Sequence, residues 1–144
     1  MIEVWSYADD KVTAQDLSQL NLLRSLAWID VSEPTIDELT TIHRKFNLPL
    51  TELRHALDAK ERPRVKATKD YLLIIFGACL DHADSPTLPV GFFVTKRHLL
   101  SIHTKRLQGF DDIDKSSELF SRVMQRGPEV VLYTLLFRMI KDYF

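Results

Sequence analysis

Tyr71-Leu72-Leu73-Ile74-Ile75-Phe76 opens the longest uncharged apolar stretch of the chain, which starts after Lys69-Asp70 and ends at Leu80, before Asp81. Its β-branched and aromatic content reads as a central strand buried on both faces. A membrane-spanning helix needs about 20 such residues, so this stretch does not cross a bilayer. A strand covered on both sides needs a layer on each side. The fold expected is therefore α/β, a three-layer α/β/α domain with a mixed, largely central sheet.

Working outward, Asp81 to Pro89 is a turn-rich loop with two prolines. Val90–Thr95 and Leu99–Thr104 read as two strands around Lys96-Arg97-His98, a hairpin that leaves His98 in a solvated turn. Upstream, Ile2–Tyr7 and Leu26–Val31 carry the same β-branched and aromatic signature. The polar segment from Asp9 to Ser25 has scattered leucines and no assignable period.

Helical periodicity begins after Ser32. Ile36, Leu39, His43 and Phe46 recur at helix spacing, Pro34 suits a first turn, and Ser32 or the Thr35-x-x-Glu38 box can cap it. Asn47 is a stop signal, and Pro49 opens a second helix with Leu50, Leu53 and Leu57 on one face. Beyond the hairpin, Asp111, Asp112 and Asp114 precede Arg122 and Arg126, a charge order that complements one helix dipole, and Gly127 fits a left-handed cap. Pro128 opens a final helix with Val131, Leu135 and Met139 on one face and Leu132, Leu136 and Ile140 beside them. It reaches Phe144 without a stop signal, so the expectation is a cut inside a longer helix. The 144 residues read as one domain, 1–144.

Lys plus Arg is 19 and Asp plus Glu 20, so no basic excess invites nucleic acid. Cys79 is the single cysteine, which forbids an intrachain disulfide and suits a reducing compartment. Met1–Asp10 lacks the basic segment and apolar core of a secretory signal. GxSxG, GxxxxGK[ST], GxGxxG and HExxH patterns are absent, and no nucleophile–base pair is visible, so an enzyme is the least favoured class. His43 reads as a satisfied core histidine, while His103 is left open between the inside and outside of the sheet. Cys79-x-Asp81-His82-x-Asp84 has metal-ligand residue types but no ligand spacing, and reads as an ordinary loop with a structural cysteine. Lys60, Arg62, Arg64, Lys66 and Lys69 offer a phosphate stripe if extended. Without interleaved aromatics, and with acids around them, they read as a solvated strand entrance.

Several segments, taken in order, resemble the N-terminal cytosolic domain of CorA-type magnesium and cobalt transporters. They are Trp28-Ile29-Asp30-Val31, Phe46-Asn47-Leu48, Leu57-Asp58, Glu61-Arg62-Pro63-Arg64, Asp70–Phe76, Gly91-Phe92-Phe93-Val94, Leu99-Leu100-Ser101-Ile102, Leu132-Tyr133-Thr134-Leu135-Leu136 and Asp142-Tyr143-Phe144. The resemblance covers roughly residues 26–144. It implies the cytoplasmic part of a cell-membrane protein that self-associates as a pentamer and attaches through later helices. It further implies magnesium or cobalt as transported or regulatory ion, no resident cofactor and no catalytic residues. Of the family's regulatory ligands, the acidic pair of a Leu-Glu-Asp sequence corresponds here to Arg54 and His55 in Leu53-Arg54-His55, so both carboxylates are lost. Asp142 keeps the carboxylate before Tyr-Phe and is the one candidate metal ligand. The alternatives are a zinc-transporting relative and a stand-alone soluble interaction module.

Overall fold

The computed structural model describes residues 1–78 and 87–141. Among the described residues, seven strands form one sheet in the order β2-β1-β3-β7-β6-β5-β4. They are β1 (Ile2–Ala8), β2 (Lys11–Gln15), β3 (Leu26–Ser32), β4 (Arg64–Ala67), β5 (Leu72–Ala78), β6 (Leu88–Val94) and β7 (His98–His103). Only β3 and β7 run parallel, and every other neighbouring pair is antiparallel. The parallel pair requires a crossover, and the chain between those strands supplies it with α1 (Ile36–Phe46) and α2 (Leu50–His55). After β7 come α3 (Gln108–Asp111), α4 (Glu118–Gln125) and α5 (Pro128–Lys141).

The sheet is covered on both sides, as expected of a three-layer domain. On one side α1 and α2 bury Leu39, Ile42, Leu53 and Ala56 against Ile29, Leu73, Phe93, Leu100 and Ile102. On the other, Phe110, Phe120, Met124, Val131 and Leu135 pack over Trp28, Phe92 and Leu99. Strand period sends alternate residues to opposite layers, so each strand's apolar content is divided between two cores. The caps read from sequence are present. Thr35 Oγ1 accepts from Glu38 N while Glu38 Oε1 accepts from Thr35 N, and Asn47 closes α1 with φ of 54°.

Five expectations need correction or completion. The strand at Tyr71–Phe76 is inner, between β4 and β6, but only one face is sealed. Leu73 and Ile75 are buried, whereas Leu72, Ile74 and Phe76 are half-buried, because α5 packs mainly over β3, β6 and β7. The single helix expected from Asp111 is two helices. Asp114 Oδ1 accepts from the backbone and hydroxyl of Ser116, and Ser117 Oγ accepts from Phe120 N, so local side-chain bonds end one helix and start the next. His98 is not solvated but is the first residue of β7, 6% exposed. Thr95 closes the turn by bonding His98 in both directions, leaving Lys96 exposed, Arg97 half-buried and the imidazole edge-on to Phe46. The unassigned segment contains β2, joined to β1 by Asp9-Asp10, both at positive φ as a tight hairpin turn demands. Of the loop expected from Asp81 to Pro89, residues 81–86 lie outside the described residues, and Leu88 and Pro89 instead open β6.

Gly91 on β6 faces Ala56 just after α2. A Cβ there would overlap Ala56 Cβ and stand 3.1 Å from Ile102 Cγ2. Gly91→Ala is expected to cost about 1–3 kcal/mol by overpacking, and Ala56→Gly in the same chain should recover part of it. Urea denaturation of the two variants measures both effects.

Candidate functional site

The segment around Arg54 and His55, where the sequence departs from the family pattern, lies on α2 and faces the edge strand β4. α2 buries Leu53, and Ala56 just after it is buried too. Helical spacing then turns Glu52 inward too, leaving its side chain only 9% exposed. A carboxylate there needs cations, and β4 provides them from alternate positions that share one side of the strand. Arg64 Nη2 lies 3.5 Å from Glu52 Oε1, and Lys66 Nζ 3.4 Å from Oε2. Arg64 Nε also donates to Glu61 Oε1 at 2.8 Å. That bond, with the charge of Glu52, raises the guanidinium pKa further. His55 Nδ1 is 3.7 Å from Glu52 Oε1 and 3.4 Å from Arg64 Nη2, with its side chain about half exposed.

The basic segment is therefore neither a free phosphate stripe nor wholly a solvated entrance. Arg64 and Lys66 are spent on Glu52, while Lys60, Arg62 and Lys69 are exposed. Arg54 is exposed as well. The two carboxylates of this cluster, Glu52 and Glu61, face Arg64 and Lys66 within it, so a divalent cation would find no unpaired acid there. Among the described residues, no group of three or more His, Cys, Asp or Glu side chains is placed to hold a metal. Asp142 and the Cys79–Asp84 cluster lie outside the described residues. Sequence reasoning missed Glu52. Its signal was an acid at helix spacing with Leu53 and Ala56, opposite a run of cations twelve residues later.

A second polar group is wholly interior. Trp28 and Asp30 on β3, and Ser101 and His103 on β7, sit two residues apart and turn toward the α3–α5 layer. Trp28 Nε1 donates to Ser101 Oγ at 2.9 Å, and Ser101 Oγ donates to Asp30 Oδ1 at 2.6 Å. His103 Nε2 meets the same Oδ1 at 2.7 Å, and its Nδ1 meets the Lys105 carbonyl at 2.6 Å. Serine, histidine and aspartate are all present, but the order is wrong for nucleophilic catalysis. The aspartate stands between the other two, so the imidazole does not reach Ser101. This resolves the orientation of His103, which is inward and 2% exposed. His43 is half-buried, its Nδ1 bonded to the Leu48 carbonyl, as a satisfied histidine should be. Burial pushes the His98 imidazole below its usual range.

These positions fall in an alignment that fixes the family. The model described as CorA-like Mg2+ transporter protein matches residues 24–144. The chain belongs to the CorA family. It is 31% identical over 120 residues to the cobalt/magnesium transport protein CorA of Methanocaldococcus jannaschii, covering 82% of this chain and 38% of that protein. The soluble domain of CorA from the same organism superposes with a TM-score of 0.81 at 26% identity, over 99% of this chain and 56% of that one. The cytoplasmic domain of ZntB from Vibrio parahaemolyticus shares the fold, with a TM-score of 0.68 at 13% identity over 97% of this chain and 57% of that one. The chain thus has the α/β fold of the CorA soluble domain while spanning well under two thirds of these relatives. No helix among its described residues is long and apolar enough to cross a membrane.

Glu52→Gln should lower stability by about 1–2 kcal/mol, because it removes the charge that Arg64 and Lys66 face in a nearly closed setting. Glu118→Gln, which breaks the exposed Glu118–Arg122 pair on α4, should cost under about 0.5 kcal/mol. Paired thermal melts at low and high salt separate the two.

Proposed function

We propose that this chain is the cytosolic regulatory domain of a CorA-like transporter of divalent cations, magnesium or cobalt, assembled as a pentamer on the cytoplasmic side of a cell membrane. The observation that carries the reading is the match of 99% of the chain to the CorA soluble domain. Family membership rests on residues 24–144. The ion is cargo and regulator, and the domain's role is non-enzymatic. A zinc-transporting relative is the second reading, favoured only by the fold shared with the ZntB domain. A stand-alone interaction module is the third.

Magnesium prefers several hard oxygen ligands in octahedral order. The residues of α2 do not fit it. Arg54 repels a cation, His55 offers an imidazole, and Glu52 is already paired with Arg64 and Lys66. Asp142 is proposed as the remaining ligand of this segment of the chain. A single carboxylate of this kind belongs at the weak end of oxygen-ligand sites.

Titration calorimetry should therefore give magnesium affinity no tighter than about millimolar, with little magnesium-induced rise in melting temperature. Micromolar binding that Asp142→Ala abolishes would overturn the loss at Arg54 and His55. A chimera tests the domain reading itself. When residues 1–144 replace the matching segment of the M. jannaschii protein, it should still take up magnesium but need more magnesium to close. A chimera that closes at the parent's concentration counts against the altered regulation, and one that cannot assemble counts against the domain assignment.

A further inference from the structure

Three turns meet at one end of the sheet. Ala27 pairs with His98, Val94 with Leu72 and Leu72 with Ala67, so the turns before β3, between β6 and β7, and between β4 and β5 lie side by side. The turn before β3 is held by its own bonds. The Asn21 carbonyl accepts from Arg24 N and Ser25 N, and Asn21 Oδ1 accepts from Leu23 N at 3.0 Å. It presents Leu23 at 83% exposure, the highest of the large apolar side chains among the described residues. Threonine hydroxyls close the other two turns, Thr95 on His98 and Thr68 on Tyr71. An open cleft of about 410 Å³ at this end is lined in part by Leu22, Leu23, Lys96, Arg97, Asp70 and His98. Arg24 and Lys69 are exposed on the same turns. In a chain of formal net charge −1, the three turns carry Arg24, Lys69, Lys96 and Arg97 against a single acid, Asp70. Among the described residues none of these cations stands in an ion pair, unlike Arg64, Lys66, Arg106 and Arg122. Asp9 and Asp10 bound the patch beyond β1, where Asp10 accepts from Tyr7 Oη.

We propose that this end of the sheet docks on an anionic lipid surface, with Leu23 inserted at the headgroup–acyl boundary and Arg24, Lys69, Lys96 and Arg97 held against the headgroups. A single exposed leucine needs no explanation by itself. Here the leucine is fixed on a tight turn and its neighbours are unpaired cations. That pairing matches the boundary of a bilayer, where acyl carbon lies below and phosphate above. Long basic side chains suit it further, since their stems lie along apolar surface while their charged ends stay at phosphate level. A soluble phosphate or a purely acidic peptide would engage the same cations and leave Leu23 in water. Each cation near an anionic surface strengthens binding about fivefold. Four of them with one leucine give a reversible attachment, not a permanent anchor. The proposal goes beyond the transporter reading, because lipid binding is a property of turns within this chain and is read on it alone.

Co-sedimentation of the 144-residue chain with lipid vesicles tests this. The chain should bind vesicles of mixed phosphatidylglycerol and phosphatidylcholine, fail to bind phosphatidylcholine alone, and be released as salt is raised. Lys96→Ala and Arg97→Ala should each weaken binding about fivefold. Leu23→Ser should weaken it about threefold or more, at low and at moderate salt alike. Leu119→Ser removes a comparably exposed leucine from α4 and should leave binding unchanged. Melting temperatures establish that each variant is folded. Absence of binding to the anionic vesicles overturns the proposal, and titrations with inorganic phosphate and with polyglutamate then show whether the turns serve a soluble anion or an acidic partner instead. Equal binding to both kinds of vesicle overturns it as well, as does a Leu23→Ser chain that binds as tightly as the native one. The dependence on lipid charge is read on the native chain, whether or not a variant folds.

Discussion

β3 and β7 lie parallel at the middle of the sheet, bonded side by side although their paired residues are about 70 positions apart. Every other strand reaches the sheet through one of them. β1 and β2 extend from β3, and β6, β5 and β4 extend from β7. Closing so long a loop costs conformational entropy, and backbone bonds alone bring only a modest net return. The return comes from what the pairing buries. Trp28, Ile29, Leu99, Leu100 and Ile102 are all within 2% of full burial, divided between two layers. The polar bonds among Trp28, Ser101, Asp30 and His103 add register, because a slip of either strand by one residue would turn its two members of the group toward the opposite core.

That constraint organises the helices. α1 and α2 lie in the crossover and so cover one face, while α3–α5 follow β7 and cover the other. α5 packs over β3, β6 and β7, leaving β5 half covered. β4, at the far edge, has little core of its own, and Val65 is 67% exposed. The edge strand is instead held by charge, through Arg64 and Lys66 on Glu52 of α2. The exposed cations also discourage pairing with another edge.

The elements legible in the sequence were those whose local chemistry and burial agree. The Thr35–Glu38 box, Asn47 and the apolar face of α1 specify that helix without reference to the rest of the chain. The two-faced apolar content of Leu72–Ala78 specified a strand, but not how far its neighbours would cover it. That depends on where α5 lands. β2 was illegible because its residues are mostly exposed and its turn is Asp9-Asp10 rather than a glycine pair. His98 was misplaced because a turn's length is set by which residue first pairs across it, and Thr95 supplied that pairing through its own side chain.

The α2 cluster shows why site chemistry is harder to read than fold. That Leu53-Arg54-His55 carries no carboxylate is plain at once, since that is a matter of residue type. Whether another acid could stand in for one is a matter of what that acid already touches. Glu52 adjoins the altered positions, and by residue type alone it could stand in for the lost acids. Its burial with Arg64 and Lys66 gives it a different task. A divalent cation would have to displace two tethered cations that are covalently part of the sheet and lose little entropy in binding. A carboxylate so engaged contributes to the attachment of β4. In this chain the stability of the sheet edge and the engagement of this acid therefore have the same cause.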